Sequence, residues 1–219
     1  MNKLTLSIIA FLSIYLATLA QDQEFDKFVS LDGKVTIKRE SDHWLKISVP
    51  FQVISNPDLI SLEGSKPKSR EELFNPKYLD NLELNLFICF RNEFARKFFR
   101  TEKSDPENFQ YYSASLKCMV LEVTSTYVAH FLFPSAIAER DGFGGSYPEL
   151  LGYVIDFSRK GKKFDVSDST MFDKYKTKET LEKFKTEAQS KSLPNEGILI
   201  PAYKVDRAYL RDLGPVYLD

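Results

Sequence analysis

The sequence predicts a mainly β protein: an antiparallel β-sandwich followed by a C-terminal amphipathic helix. Three observations lead there. From Trp44 to Phe164 the chain reads as short strands at regular intervals, two of which alternate cleanly between apolar and polar residues. Eighteen Phe and eleven Tyr favour β-structure and a well-packed interior over disorder. After Ser169 the apolar period lengthens to that of a helix.

In the first strand, Leu45, Ile47, Val49, Phe51 and Val53 share one face, with Lys46, Ser48 and Gln52 between them. Pro50 has no N–H to give a ladder, which predicts an edge strand or a bulge. Asn56-Pro57-Asp58 ends it, and residues 61–77 form a charged loop. The next strand places Leu82, Leu84, Leu86, Ile88 and Phe90 on one face and Glu83, Asn85, Phe87 and Cys89 on the other. Phe94, Phe98 and Phe99 then recur at helical spacing and predict a short helix capping this crossing. Ser104-Asp105-Pro106 is a turn signal.

Ser113–Val123 is a strand apolar on both faces near Leu116–Leu121, which predicts a place inside the sandwich. Strands at Thr126–Phe133 and Leu150–Phe157 follow, and Arg159–Lys163 turns a hairpin into Phe164 and Val166. Phe172, Tyr175, Leu181, Phe184 and Ala188 mark the amphipathic helix, near residues 169–191, which ends before Pro194. Gly197–Val205 reads as a last strand. The tail from Asp206 is part helical and part extended.

The first twenty residues carry an address. One positive charge at Lys3, an apolar run from Leu4 to Leu19, small residues at Thr18 and Ala20, and the acidic switch at Gln21–Glu24 have the layout of a secretory signal peptide. Cleavage is expected after Ala20. Residues 21–219 are then a single β-sandwich domain with its helical appendage, extracytoplasmic (periplasmic or secreted) and soluble. No later apolar run is long enough for a bilayer, so no stable membrane span is expected after cleavage. Thirty Lys and Arg against thirty-one Asp and Glu give no electrostatic reason to seek nucleic acid or an acidic membrane surface.

No residue pattern specifies a catalytic, cofactor or metal site, and the chain is expected not to be an enzyme. Zinc needs three or four Cys or His at set spacings, and His43, Cys89, Cys118 and His130 form no such cluster in the sequence. His130 sits in an apolar strand, as a core or interface histidine does; His43 is expected to be exposed. Gly142–Pro148 has neither a nucleophile elbow nor a phosphate loop and reads as a plain connection. Asp165, Asp168 and Asp173 lack the alternation and central Gly of a calcium loop; Asp168 or Ser169 as a helix cap explains them better. Glu139 and Asp141 read as ordinary solvated acids, and Arg159–Lys163 as a solvated hairpin tip or a contact for an acidic glycan or headgroup. Trp44 is expected in the core; exposed, it would offer a stacking platform for a sugar. One disulfide between Cys89 and Cys118 is permitted outside the cytoplasm, but strand parity places Cys118 inward and Cys89 on the opposite face.

Four segments, Trp44–Phe51, Asn75–Leu86, Phe131–Ile137 and Gly152–Phe157, resemble the secreted pilus-like proteins found beside type IV pilus components in verrucomicrobial bacteria. The resemblance covers roughly residues 44–164. It implies an immunoglobulin-like sandwich and a role in the cell envelope rather than catalysis. A type IV prepilin carries Gly before its processing site and Glu soon after; Lys3-Leu4-Thr5-Leu6 has neither, so the apolar segment is expected to be discarded rather than polymerised. The expected function is that of a non-enzymatic structural or interaction protein of a type IV pilus-like or secretion assembly. Its partners would be envelope or pilus-assembly proteins, or itself. The alternative is a carbohydrate-binding or adhesin module.

Overall fold

A computed structural model describes residues 28–41, 43–57, 75–102, 105–143, 150–164 and 178–205. The expected signal peptide and its cleavage site, Gly144–Pro148, Asp165–Asp173, Tyr175 and the tail from Asp206 lie outside the described residues.

The chain is mainly β, with two antiparallel sheets. The first contains β1 (Val29–Leu31), β2 (Thr36–Arg39), β3 (Trp44–Val53), β6 (Thr126–Pro134) and β9 (Ile200–Pro201). β3 is flanked by β1 and β2 on one side and by β6 on the other, and β9 adds to β6. The second sheet runs in the order β5 (Phe109–Glu122), β4 (Tyr78–Arg91), β7 (Leu150–Arg159), β8 (Lys162–Phe164). Three helices are described: α1 (Glu93–Phe99), α2 (Ser135–Arg140) and α3 (Lys178–Lys191).

Period-two alternation builds the core. Leu45, Ile47, Val49, Phe51 and Val53 are buried on β3, and Leu82, Leu84, Leu86, Ile88 and Phe90 on β4, as the sequence spacing requires. They belong to one core cluster with Phe131 and Phe133 of β6 and Ile155 and Phe157 of β7. Ring contacts tie the sheets together: Phe51 meets Phe157 at 5.3 Å and Phe90 meets Phe133 at 5.6 Å between centroids.

The outer face of the β4 sheet has a second, smaller cluster under α3. Cys89, Tyr111, Leu151 and Val154 pack there with Phe184 and Ala188 of the helix. Beside this apolar contact the buried Asp156 carboxylate meets Lys185 at 3.0 Å and Lys163 at 3.5 Å. An apolar row next to an ion-paired row sets how the helix lies on the sheet. Leu181 has its side chain, and Phe172 its whole residue, outside the described region.

Four expectations are corrected. β3 is not an edge strand: Pro50 pairs with Val128 of β6. Its carbonyl accepts from Asp32 N at 3.1 Å on the other side. That is the gap where β1 ends and β2 has not begun, so the missing N–H falls where no ladder bond is due. Trp44 is not in the core; its parity is opposite to Leu45, and it lies half-buried on the outer face. β5 is not an interior strand but the edge of its sheet. The last strand shrinks to Ile200–Pro201, followed by a 3-10 turn, because Pro201 cannot continue the ladder.

Candidate functional site

Two surfaces stand out from the residues upward. The first is the outer face of the β3 sheet. Even-numbered residues of β3 and β6 point outward there, and register pairs Ser48 with His130. The Ser48 hydroxyl and His130 Nδ1 share a hydrogen bond of 3.0 Å. Burial pushes the imidazole pKa down, and the Lys46 ammonium lowers it further; Glu40, which pairs with Lys46, opposes this. The result is a neutral imidazole held by a hydroxyl on a sheet face, a cross-strand polar pair. Trp44 shares this outward face of β3, beyond Lys46, and is partly open to solvent.

The second surface is the open side of the sandwich between β5 and β6. β5 runs fourteen residues as an edge, whereas β9, the edge of the facing sheet, has two. Near its start β5 is covered: Asn195 Nδ2 donates to the Tyr111 carbonyl at 2.8 Å. Further along, Met119 and Val120 are exposed, Val120 to 60 %. Ala114, Leu116 and Cys118 are only partly buried against the core. On β6, Val128 is exposed, and β9 pairs only with Phe131 and Leu132. Here β5 offers backbone groups and apolar side chains with no partner strand among the described residues.

The remaining sequence-flagged residues do not converge. His43 is exposed near the β2–β3 turn, far along β3 from Pro50. Asp141 is not a solvated acid: it is buried, accepts from the Tyr112 hydroxyl at 3.0 Å, and receives two Arg140 hydrogen bonds of 2.6 and 2.8 Å. Burial, with the Asp141 carboxylate adding to it, holds the Tyr112 phenol well above its ordinary pKa. Glu139 is exposed, as expected. The β7–β8 hairpin turns at Lys160 and Gly161, both with positive φ, as a two-residue hairpin loop requires. Its Lys160, Lys162 and Lys163 are exposed, but Arg159 is buried and donates to the Asp80 carbonyl at 2.7 Å. Arg159 is therefore a structural part of the β4–β7 contact, not of a basic tip.

Cys89 and Cys118 lie in opposite layers, one under α3 and one against the main core. Neither is in a disulfide. Among the described residues no group of three or more metal-ligating side chains occurs, and no helix is long and apolar enough to cross a membrane.

No protein-family model matches the sequence, and no curated protein matches it. Among solved structures, the chain is similar to a crystal structure from Akkermansia muciniphila, at 15 % identity and a TM-score of 0.41. The match covers 63 % of this chain and 66 % of that one, so the chain spans just under two thirds of the neighbour's length. A likeness of this size bears on neither family nor function.

The open β5 edge was missed by sequence reasoning. The signal was present in Met119 and Val120, but two-sided apolarity also marks an interior strand. Only the pairing distinguishes the cases: among the described residues β5 is laddered to β4 alone.

Proposed function

We propose that this is a non-enzymatic, extracytoplasmic structural or interaction protein of a type IV pilus-like or secretion assembly. It works through the open side of its sandwich. The observation that carries the reading is the β5 edge with Met119 and Val120 exposed beside it, where a partner strand can add to the ladder and cover apolar side chains. The envelope address rests on the N-terminal signal layout, and the pilus context on the four segments that resemble verrucomicrobial pilus-like proteins. The reading takes the two antiparallel sheets as an immunoglobulin-like sandwich forming a single domain over residues 21–219.

Crosslinking in intact cells tests it. A secretin, a pilus subunit or a second copy should be recovered, and gene deletion should alter surface filaments or secretion. Recovery of none of these, with filaments and secretion unchanged, would remove the proposal.

A second reading has one observation in its favour. Trp44 faces outward beside Lys46 and can present its ring to a sugar. Binding of a defined glycan that is lost in Trp44→Ala, in a chain whose deletion leaves filaments unchanged, would favour a carbohydrate-binding module.

A further inference from the structure

The open half of β5 has the same pattern read from either end. Lys117 and Glu122 are the strand's only charged residues, and both are exposed. Midway between them Met119 and Val120 are exposed as well, while Cys118 and Leu121 lie against the main core. Regular alternation would put Val120 on the core side instead. The departure comes from β4. Asn81 takes φ +55°, and the ladder sets Leu82 opposite Cys118 and Asp80 opposite Val120 with no pair at Asn81. Beyond that step Leu79 and Leu121 rejoin the core. The stretch Lys117–Glu122 is left mirror-symmetric about a centre between Met119 and Val120.

An edge with this symmetry fits itself. An antiparallel ladder sets residues of like facing directly opposite one another. Laid against a second copy about a two-fold axis at that centre, β5 opposes Met119 to Val120, Cys118 to Leu121 and Lys117 to Glu122, each pair twice. Charge favours this register, since a pairing centred on Lys117 would set two ammonium groups face to face. Within one copy Glu83 stands across the ladder from Lys117, and Lys77 lies beside Val123. Neither makes an ion pair with Lys117 or Glu122 among the described residues.

The backbone of this stretch is within reach. The Glu122 N–H donates to the Tyr127 hydroxyl at 2.6 Å, and that hydroxyl donates back to the Glu122 carbonyl at 3.2 Å. Both groups are held by one surface phenol, which a second strand can replace. The covered start of β5, where Asn195 meets Tyr111, takes no part in a pairing over Lys117–Glu122. The other edge of the sheet, β8, presents exposed Lys162 and Lys163, which oppose edge-to-edge pairing. Growth therefore closes at two copies. We propose that the partner of the β5 edge is a second copy of this chain, joined β5 to β5 in antiparallel register about a two-fold axis between Met119 and Val120. This rests on the reading of that edge as the working surface and names its occupant.

Charge reversal read by sedimentation velocity tests this on the full chain. The parent should pass from monomer to dimer as concentration rises. K117E and E122K alone should each raise the dimer dissociation constant at least about tenfold, because each turns two attractions into repulsions. K117E/E122K together should return it to within about threefold of the parent. All three variants should melt like the parent, since both side chains are exposed. A chain that stays monomeric, a dimer indifferent to the single reversals, or a loss that the double reversal fails to restore would each overturn the proposal. A monomeric chain whose Val120 still crosslinks to a pilus or secretion component in cells would overturn the self-pairing and leave the edge reading standing; no adduct at Val120 would remove both.

Discussion

The Ser48 hydroxyl and His130 Nδ1 lie 3.0 Å apart across β3 and β6, a side-chain bond between residues eighty-two positions apart in sequence. Burial and Lys46 hold His130 below its ordinary pKa, so the folded state keeps the ring neutral. The unfolded chain takes up this proton at a higher pH than the folded one. Above about pH 6.5 the two states differ little at this site. As pH falls through that value the unfolded state binds more protons, and stability declines until the folded imidazole is also protonated. Denaturant melts between pH 7.5 and 5 should show a shallower loss in His130→Gln than in the parent chain. Parallel curves would mean that His130 titrates normally.

The β4 parity makes a sharp contrast. Leu86 is fully buried between the sheets, whereas Glu83 lies on the other face and accepts from Ser158 at 3.3 Å. Leu86→Asp should unfold the domain, since an unpaired buried charge costs several kcal/mol, comparable to total stability. Glu83→Ala should cost about 1 kcal/mol or less. Urea melts of the two variants read this directly, and equal losses would mean the faces are reversed.

The thiols should behave unequally. Leu82 pairs with Cys118 and Cys89 with Tyr111, so the two cysteines are separated by seven residues of β4, roughly 23 Å. That is beyond any disulfide. Burial drives the Cys89 thiol pKa far up, against smaller opposing effects from Tyr111 and Lys191. Alkylation at pH 8 in native buffer should modify Cys118 faster, with Cys89 modified only on unfolding. Intact mass gives the count, and equal rates at the two positions would contradict the packing of α3 over Cys89.

How much of this was legible depended on whether a signal was local. Leu82–Phe90 showed its buried face because alternation within one strand reports one interface. The parity argument against a Cys89–Cys118 bridge worked for the same reason. Pro50 misled because its tolerance comes from a gap between β1 and β2, strands of three and four residues with too little pattern to read. Arg159 and Asp141 looked solvated because their partners, the Asp80 carbonyl and Tyr112, are distant in sequence. Phe94, Phe98 and Phe99 gave the helix correctly, but helical spacing of apolar residues does not say whether anything lies against them.

The N-terminal reading has its own outcome. The exported chain should begin at Gln21, and mass spectrometry of the product released by the cells identifies that residue. An intact Met1–Ala20 segment in the membrane fraction would contradict the cleavage and, with it, the case against a retained pilin-type helix.

The central claim is that the open β5 side meets a partner in the envelope. A photo-crosslinking residue placed at Val120, compared in living cells with one at Lys162 on the β7–β8 hairpin, tests it most directly. Both positions are exposed, but Val120 lies on the β5 edge and Lys162 on β8, the opposite edge of the same sheet. The expected result is a discrete adduct with a pilus or secretion component, or with a second copy, from Val120 and not from Lys162. Adducts of equal yield from both positions, or none from Val120, would contradict the claim.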